Sequence, residues 1–542
     1  MLKHTFYSIG LFLALFFLSC ENKPVTEKAM KIEPKSDFPN AVAYEIFIQS
    51  FADSNGDGIG DFQGATAKLD YLAELGIQAV WLMPIMESPS YHKYDVTNYK
   101  SIHPDYGTLE DFEVFVQEAH KRGIKVIIDM IINHTGSDHP WFQEAKKGKD
   151  NPYRAYYVWA DKDSIADQIA KKEIAQDSDN LQQWHAVDGQ TSEEHYYGYF
   201  YGGMPDLNFD SKKVREEIVE IGRFWLEEMD VDGFRLDAAK HIFPDDRVED
   251  SYKWWLYYSQ QMKKIKPNVY LVGEVWAKSE LVLEFTKGLP ALFNFDLAGS
   301  IQQAVIEEQN LAATIEGPKW VTLEDEDLIY KLTEQRHAYL NANKAYHDAT
   351  FLSNHDQNRV MSNLGGNVEK AKLAASILLT IPGSPYIYYG EEIGMLGEKP
   401  DPNIREPMIW DELDKDEFRT SWIEPVFSVE GAITPVAAQL MDSTSLLNHY
   451  KKLIALRNTH EVLNSGEIRP FPLAIDEVLG YAMIHGNVNY IVMHNLSAIE
   501  QNLSITKIDS VIYGQEDYQN GVLAPYKTVI LRRNESASTR IN

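Results

Sequence analysis

Cysteine is almost absent from this chain of 542 residues, in which Cys20 is the only one. A single cysteine excludes an intramolecular disulfide, and it excludes thiolate metal clusters because these need several cysteines. Basic residues are also scarce, since 51 Lys and Arg stand against 81 Asp and Glu and give a formal net charge of −30 at pH 7. Nucleic acids bind mainly through Lys and Arg, so we expect no nucleic-acid partner.

Long hydrophobic runs are missing too, because no stretch after the amino-terminal region is apolar enough to be a transmembrane helix. Residues 1–20 hold a shorter apolar run, Ile9 to Leu18, which ends just before Cys20 and has the form of a secretion signal. The segment resembles a bacterial lipoprotein signal, in which the cysteine becomes the lipidated first residue. An ordinary cleaved signal with an incidental cysteine is the alternative. We expect a cell-envelope protein, on the outer membrane surface or in the periplasm, that contacts the membrane only through a lipid anchor on Cys20.

Short apolar runs alternate with longer amphipathic stretches from Ala41 onward. This alternation is typical of βαβ units and a parallel sheet. Eight such runs predict an α/β fold of the (β/α)₈ TIM-barrel type, in which chemistry collects at the carboxyl ends of the strands. The runs are Tyr44 to Phe51, Ala79 to Pro84, Lys125 to Ile132, Gly233 to Ala238, Val269 to Val275, Ala291 to Phe295, Thr350 to Ser353 and Tyr386 to Tyr389.

Further segments complete the predicted domain organisation. Residues 21–39 are polar, contain three prolines and are expected to form a flexible tether. About a hundred residues separate the third and fourth strands where one helix would suffice. We therefore expect a small inserted domain at 135–205, which interrupts a barrel formed by 40–134 and 206–460. Short alternating apolar runs near the carboxyl end predict a C-terminal antiparallel β-sandwich domain at 461–535.

Three carboxylates directly follow predicted strands. Asp237 comes after the fourth strand, Glu274 after the fifth and Asp356 after the seventh. An acid there costs desolvation unless it is paired or used, so three that converge on one barrel mouth predict an active site. Arg235 shares a strand face with Asp237 and should keep that carboxylate ionised, as a nucleophile requires. Glu274 has apolar neighbours and is the better candidate for the general acid of a two-carboxylate glycosidase.

The strand-end segments resemble, in order and spacing, the four signature regions of the α-amylase family of retaining glycoside hydrolases (family 13). A fifth short region of that family is similar to Met-Pro-Asp-Leu-Asn at 204–208. The likeness extends over roughly 41–533. It implies that Asp237 is the nucleophile, Glu274 the general acid/base and Asp356 the transition-state stabiliser. The four segments are DMIINH (129–134), GFRLDAAKH (233–241), GEVW (273–276) and NHD (354–356).

The resemblance also implies a set of substrate-binding residues. Asp95 is similar to an acid that, in some relatives, pairs with an arginine matching Arg405 and blocks one end of the cleft. Lys240 and His241 would contact the leaving-group sugars, as this pair tends to do in α-1,4-acting amylases. Asp129 would support the residues of the cleavage subsite from beneath. Those residues would be Tyr94, His134, Arg235 and His355.

A second group of polar residues follows the first strand. Oxygen side chains at positions one, three and five of this segment, a glycine at six and a backbone carbonyl at seven have the spacing of a calcium loop. The segment is not an EF-hand, because its twelfth residue is Gly64 and a strand precedes it. Members of the resembled family carry Ca²⁺ in a similar loop, while a merely polar glycine-rich turn is the alternative. The ligands of this structural Ca²⁺ would be Asp53, Asn55, Asp57, Ile59 and Asp61.

Another calcium site is implied by the resemblance alone. Its ligands in the family match Asn133 and the backbone carbonyl of His241. An acid of the inserted domain closes the site, and the many acids of that segment leave this ligand unidentified by the sequence.

Several activities remain open within the family. The pair Lys240-His241 favours an α-1,4-glucan hydrolase that acts on starch or maltooligosaccharides. The 204–208 stretch lies between the forms of oligo-1,6-glucosidases and neopullulanases, so neopullulanase, α-glucosidase or oligo-1,6-glucosidase, and glucanotransferase are the alternatives. An inactive starch-binding lipoprotein is the non-enzyme alternative, against which the intact set of three carboxylates counts. Nothing in the sequence demands an oligomer, and we expect a monomer.

Overall fold

Eight parallel strands close into a barrel, as predicted. Each strand pairs with its neighbours in sequence, and the first pairs with the eighth to close the ring. The computed structural model describes residues 40–166, 182–188, 192–316, 319–429, 431–503 and 505–533. The barrel strands are Ala43–Ile46, Ala79–Leu82, Lys125–Met130, Gly233–Leu236, Tyr270–Gly273, Ala291–Phe293, His347–Phe351 and Ser384–Tyr388.

Some strand bounds differ from the prediction. The seventh strand begins at His347 rather than Thr350, because the polar residue Asp348 is buried within it and pairs with Arg336 at 2.7 Å. The eighth begins at Ser384, where a following proline obscured the pattern. The first predicted run is a strand only as far as Ile46, and its remainder forms a short helix.

The inward-facing side chains change character along the barrel strands. Near the amino ends, Ala43 and Ile127 belong to an apolar cluster inside the barrel. Two residues further along the same strands stand Glu45 and Asp129, both fully buried. Because side chains two residues apart point to the same side of a strand, polar groups gather at the carboxyl end of the barrel.

Helices cover the outside of the barrel, and a large apolar cluster fills the layer between helices and strands. The helix Leu109–Lys121 shows how the sequence sets an end, since the Thr108 and Asp111 side chains form a reciprocal capping box. In the part of the chain that the structure describes, no helix is long and apolar enough to cross a membrane. The main outer helices are Phe62–Ala67, Leu69–Leu75, Leu109–Lys121, Lys212–Arg223, Val248–Ile265, Ser279–Phe285, Phe295–Glu307, Leu328–Ala342, Val368–Thr380 and Leu446–Thr459.

Two insertions interrupt the barrel pattern. Between the third and fourth strands lies a three-stranded antiparallel sheet, whose strands are Trp159–Asp161, Trp184–Ala186 and Glu194–Tyr197. This sheet lies within the predicted inserted domain. Between the sixth and seventh strands lies an antiparallel hairpin, Ala312–Glu316 and Lys319–Leu323, that the sequence pattern did not predict.

The C-terminal segment is an antiparallel β-domain, as predicted. A five-stranded sheet stands beside a smaller three-stranded sheet, and Leu523 of the smaller sheet shares an apolar cluster with Met493 and Leu531 of the larger one. This shared core gives the domain two packed layers. The strands of the larger sheet are Glu467–Pro470, Val478–His485, Val488–Asn495, Ile508–Tyr513 and Thr528–Arg533, and those of the smaller are Gln501–Asn502, Tyr518–Gln519 and Val522–Leu523.

Candidate active site

The three predicted acids meet in one cleft at the carboxyl end of the barrel. Asp237, Glu274 and Asp356 all line a cavity of about 1250 Å³. Each directly follows or closely follows its strand, so the barrel itself brings together residues that lie far apart in the sequence. Of the predicted substrate-binding residues, Tyr94, His134 and Arg405 line the same cavity.

Arg235 holds two of these acids and a third carboxylate on one guanidinium. Its Nη1 donates to Asp237 Oδ1 at 2.5 Å and to Asp129 Oδ1 at 2.9 Å, while Nη2 lies 2.8 Å from Glu274 Oε2. Asp237 and Glu274 therefore sit on neighbouring nitrogens of the same planar group. This arrangement places the two carboxylates close together and orients both toward the cleft.

Glu274 has a raised pKa, in contrast to Asp356. Burial raises its pKa to about 8, and the charges of Asp237 and Asp356 act in the same direction, against the opposing effect of Arg235. The Ala238 amide also donates to Glu274 Oε2 at 3.0 Å. A carboxyl that keeps its proton at neutral pH can serve as a general acid, which agrees with the prediction for this residue.

Asp129 lies beneath the cleft, as predicted for a supporting residue. It is fully buried, bonds to Arg235 and accepts a hydrogen bond from Tyr94 Oη at 3.1 Å. Burial raises the pKa of Asp129 to about 7, although Arg235 opposes the rise. Asp129 thus fixes the positions of Tyr94, a predicted sugar-binding residue, and of Arg235, which contacts both Asp237 and Glu274.

Asp356 lies between two cations. His355 Nε2 is 3.0 Å from Asp356 Oδ2, and Arg405 Nη2 donates to Asp356 Oδ1 at 3.1 Å. Burial alone would raise the pKa of Asp356, but these two neighbours hold it well below its usual range. The Asp356 carboxylate is therefore an anion that faces the cleft at any working pH.

Glu45 is a member of this cluster that the sequence did not single out. The Glu45 carboxylate lies 2.5 Å from His355 Nδ1, and both side chains are buried. Burial alone would lower the pKa of His355, but Asp356 and Glu45 raise it to about 10. An acid within an otherwise apolar strand was the available signal, yet its partner lies 310 positions away in the sequence.

The expected pair between Asp95 and Arg405 is wrong for this structure. Asp95 Oδ1 instead accepts hydrogen bonds from the nearby hydroxyls of Ser88, at 2.6 Å, and Ser90. Arg405 bonds to Asp356 and to Asp401 Oδ2, the latter at 3.2 Å. The Tyr201 side chain also hydrogen-bonds to Asp95, and the described residues show no ion pair between Asp95 and Arg405 that would close the cleft.

His134 reaches the cleft as expected, whereas Lys240 and His241 do not. His134 Nε2 lies 3.2 Å from the Tyr94 carbonyl oxygen, which orients its ring at the wall of the cavity. Lys240 and His241 are buried, and neither is among the described residues that line the cavity. The His241 ring packs against Tyr199 at a centroid distance of 3.9 Å. The geometry therefore gives no support for direct contact of this pair with leaving-group sugars.

The predicted calcium loop folds around its own acids. Asp53 accepts from the Gly56 and Gly58 amides, at 2.7 Å each, and Asp61 accepts from the Ser54 amide at 2.9 Å. The oxygen donors fit a hard cation chemically. However, within the described ranges no group of three or more His, Cys, Asp or Glu side chains is arranged to hold a metal ion. Calcium at this loop stays a prediction.

The second predicted calcium position has a clearer structural signal. Asn133 Oδ1 is buried and has no hydrogen-bond partner. The Asn133 amide also hydrogen-bonds to Asp206, a buried acid of the 204–208 stretch whose pKa burial raises to about 8. A buried unpartnered oxygen near a buried carboxyl suits a cation chemically, and calcium at this second position also stays a prediction.

Further residues of the cavity were not predicted from the sequence. They include the two tryptophans Trp276 and Trp320, the latter on the unpredicted hairpin, and the glutamines Gln302 and Gln357. The sequence offered no signal for Trp320, because a lone tryptophan in a loop does not show where the loop lies.

A closed (β/α)₈ barrel with two carboxylates on one guanidinium and a third beside them defines the class of barrel glycoside hydrolases. Comparison with known protein families identifies the family, because residues 45–466 match the α-amylase catalytic domain. The chain belongs to the α-amylase family and is a glycoside hydrolase. An inactive starch-binding protein is therefore not supported.

Individual relatives resemble the chain over almost its whole length. Alpha-amylase 3 of Dictyoglomus thermophilum is 41% identical over 501 residues, which cover 91% of this chain and 93% of that protein. A 4-alpha-glucanotransferase of Thermotoga maritima is 34% identical over 496 residues, which cover 90% of this chain and 100% of that protein. The crystal structure of an α-amylase from H. orenii has a TM-score of 0.81 and 40% identity, and the match covers 91% of this chain and 99% of that one.

Proposed function

We propose that the protein hydrolyses the α-1,4-glycosidic bonds of starch or maltooligosaccharides with retention of configuration. The observation that carries the proposal is the pair Asp237 and Glu274 on neighbouring nitrogens of the Arg235 guanidinium. A short separation between two carboxylates is typical of retaining glycosidases. The cavity of about 1250 Å³ exceeds the roughly 300–1,000 Å³ of small-molecule pockets, so it has room for several sugar units.

The proposed mechanism has two displacements. Asp237 attacks the anomeric carbon while Glu274 gives its proton to the glycosidic oxygen, and the bond to the leaving sugar breaks. Water then gives a proton to the Glu274 carboxylate, the water oxygen bonds to the anomeric carbon, and the bond between that carbon and Asp237 breaks. Asp356 is proposed to stabilise the positive charge that develops on the sugar ring, since its carboxylate stays ionised beside His355.

The test is a product profile from the chain without residues 1–20. We expect a ladder of maltooligosaccharides from amylose, with isomaltose untouched and pullulan as the third substrate. The Glu274→Gln variant, checked for native circular dichroism, should release no sugar above background. Glucose from amylose, or panose from pullulan, as the main early product would replace the amylase by an α-glucosidase or a neopullulanase that also cuts α-1,4 bonds, whereas glucose from isomaltose would overturn the α-1,4 specificity.

Glucan transfer is the second candidate function. It is favoured by a relative named 4-alpha-glucanotransferase that matches 90% of this chain. Incubation with maltotriose distinguishes the two reactions. Longer maltooligosaccharides without a rise in reducing ends would identify a transferase, whereas a steady rise in reducing ends identifies a hydrolase.

We also propose a structural role for Ca²⁺. The residues that would hold it at the loop are Asp53, Asn55, Asp57, Ile59 and Asp61. At the other position they would be Asn133, the backbone carbonyl of His241 and, as the third ligand, Asp206, which directly follows the inserted domain. A cation there would satisfy the unpartnered Asn133 oxygen and favour ionised Asp206. The ion would tie the segment at 204–208 to the third barrel strand and would take no part in the chemistry.

The envelope location is likewise a proposal, because residues 1–39 lie outside the described part of the chain. It rests on the signal-like segment that ends at Cys20. Replacing Cys20 by Ala should release the protein from the membrane fraction, and its persistence there would overturn the lipid anchor. We propose a monomer, which light scattering of the soluble protein can check.

A further inference from the structure

One amide side chain at the catalytic cleft lacks hydrogen-bond partners. Gln357 directly follows Asp356 in the sequence, lines the same cavity and is 7% exposed. Neither Oε1 nor Nε2 of Gln357 has a hydrogen-bond partner among the described residues. A side-chain amide that is buried without partners destabilises a fold, because it has lost water and gained no protein contact. Its place beside Asp356 favours a functional reason for this cost.

A second glutamine of the cavity shows the usual arrangement. Gln302 Nε2 donates to the Leu352 carbonyl at 2.5 Å, and Gln302 Oε1 accepts from Asn363 Nδ2 at 2.7 Å. Both ends of the Gln302 side chain therefore join neighbouring segments of the barrel. Gln357 makes no such bond within the described ranges, so its side-chain amide is not needed to hold this wall of the cleft together.

The backbone around Gln357 is nevertheless fixed. The backbone N–H of Gln357 donates to the Asn354 carbonyl at 3.2 Å, and Asn354 Oδ1 accepts from the backbone N–H of Asp356 at 3.0 Å. Two residues further on, the backbone N–H of Arg359 donates to the Gly397 carbonyl at 2.9 Å. The terminal torsion of a glutamine has only a broad preference, so the unbonded side-chain amide can turn at little cost. No hydrogen bond has to break before this amide meets a ligand.

The chemistry of an amide indicates the kind of ligand. The amide oxygen accepts hydrogen bonds and the amide nitrogen donates two, so groups that both donate and accept are the matching partners. Neighbouring hydroxyls of a sugar ring are such groups. An anionic ligand does not fit, because the Asp356 carboxylate beside Gln357 stays ionised and would repel it.

We propose that the Gln357 side chain binds two neighbouring hydroxyls of the glucosyl unit that lies against Asp356, with Oε1 as acceptor and Nε2 as donor. The inference rests on the proposed α-glucan activity and adds a substrate-binding residue to it. A glucosyl unit satisfies both polar atoms, whereas an analogue without these hydroxyls leaves them buried and unpaired. A site built to bond a hydroxyl rejects such an analogue strongly, so Gln357 contributes to the selection of the sugar at the cleaved bond.

The experiment replaces Gln357 by methionine, which has a similar length and no amide. In Gln357→Met, kcat/KM for maltoheptaose should fall at least about tenfold, which corresponds to about 1.4 kcal/mol. The Tm should stay as in the unsubstituted enzyme, because the folded protein loses no hydrogen bond of this side chain. A substrate-binding role thus predicts lower activity without lower stability, and an unchanged kcat/KM would overturn the proposal.

The matched control is the same substitution at Gln439. This glutamine is 6% exposed and is not among the described residues that line the cavity. Its Nε2 donates to the Ile393 carbonyl at 2.8 Å, and its Oε1 accepts from the Leu447 amide at 3.1 Å. Gln439→Met should therefore lower the Tm and leave kcat/KM unchanged. A Tm loss of the same size in Gln357→Met would mark Gln357 as structural and would also overturn the proposal.

A second measurement identifies the hydroxyls, with aryl maltosides that each lack one hydroxyl of the glucosyl unit next to the aryl group. At two neighbouring positions, the fall in kcat/KM on removal of the hydroxyl should be smaller in Gln357→Met than in the unsubstituted enzyme, because the partner is already absent. The comparison between the two enzymes cancels the change in intrinsic reactivity. Equal falls at every position would count against Gln357 as the partner. An unsubstituted enzyme that releases no sugar from any glucan would instead overturn the proposed function.

Discussion

Glu45 provides a direct test of how the charged cluster is organised. The buried His355 imidazole lies between two carboxylates, with Nδ1 2.5 Å from Glu45 Oε1 and Nε2 3.0 Å from Asp356 Oδ2. Tyr94 Oη is 2.5 Å from the same Nε2, and the edge of the Trp81 ring closes the remaining side. Because both nitrogens of the His355 ring face hydrogen-bond acceptors, the ring is held as a cation, in agreement with its pKa of about 10.

The Glu45→Gln variant removes one of the two charges and preserves the shape of the side chain. An adjacent ionised partner shifts a pKa by about 1–3 units, so the pKa of His355 should fall from about 10 to about 7–9. Each unit corresponds to about 1.4 kcal/mol. The raised pKa stabilises the fold fully below about pH 6.5, and this contribution is lost as the pH rises through about 10. In the variant the loss should begin earlier.

The assay measures maltoheptaose binding by calorimetry between about pH 5 and pH 10, in a Glu274→Gln background. This background prevents turnover and removes the titration of the catalytic acid, whose own pKa is about 8. With Glu45 present, the His355 titration should not lower affinity below about pH 9, and the titration of Asp129 near pH 7 is common to both enzymes, so it cancels in the ratio of their affinities. With Gln at position 45, affinity should decline by up to about tenfold per pH unit above about pH 7–9, because the neutral imidazole cannot donate through both nitrogens.

The matched control is Glu391→Gln in the same background. Glu391 is also a buried carboxyl near the end of a barrel strand, but it accepts from Tyr450 Oη at 2.8 Å rather than bonding to a histidine. Its neutralisation should leave the binding profile as in the background enzyme. Coincident pH profiles with and without Glu45 would refute the argument that this residue maintains the charge of His355.

The remaining predictions concern the nucleophile, the cleft wall and the metal. Asp237→Asn should lower kcat by about 10⁴-fold or more while the Tm changes little, whereas a Tm fall of tens of degrees would mark Asp237 as structural. Gln302→Met should lower stability by about 1–3 kcal/mol, because both polar atoms of Gln302 are bonded, to the Leu352 carbonyl and the Asn363 amide. Gln357→Met should leave stability unchanged, since both polar atoms of Gln357 are buried and unpartnered. Equal Tm losses in the two variants would contradict this difference. Excess EDTA should lower the Tm by ligand linkage, and an unchanged melting curve with no metal by mass spectrometry would remove the calcium proposal.

The barrel and its three acids could be predicted because both are features of local sequence. Strand periodicity and helix caps are set within about ten residues, and an acid at a strand end is visible in the pattern itself. The sequence pattern did not predict the hairpin that carries Trp320. Its two strands lie within a connection that a helix would normally fill.

The partners of the charged residues could not be predicted in the same way. Arg405 directly follows the short helix Asp401–Ile404, and its Nη2 bonds to Asp401 and to Asp356. Asp95 bonds to two serines of its own loop and to Tyr201 of another loop. A pairing that holds in some relatives therefore fails here, because the choice of partner depends on loop paths rather than on residue type.

The distribution of cations explains how identical carboxyl groups can take opposite roles in one cleft. Asp356 contacts two cations, His355 and Arg405, and its pKa falls. Glu274 shares Arg235 with other acids and is buried, and its pKa rises to about 8. Strand alternation places the shared arginine inside the barrel, and loops supply the second cation only at Asp356. The proton needed for catalysis therefore resides on the buried Glu274, which shares its one cation, and not on Asp356, which has two cations as neighbours.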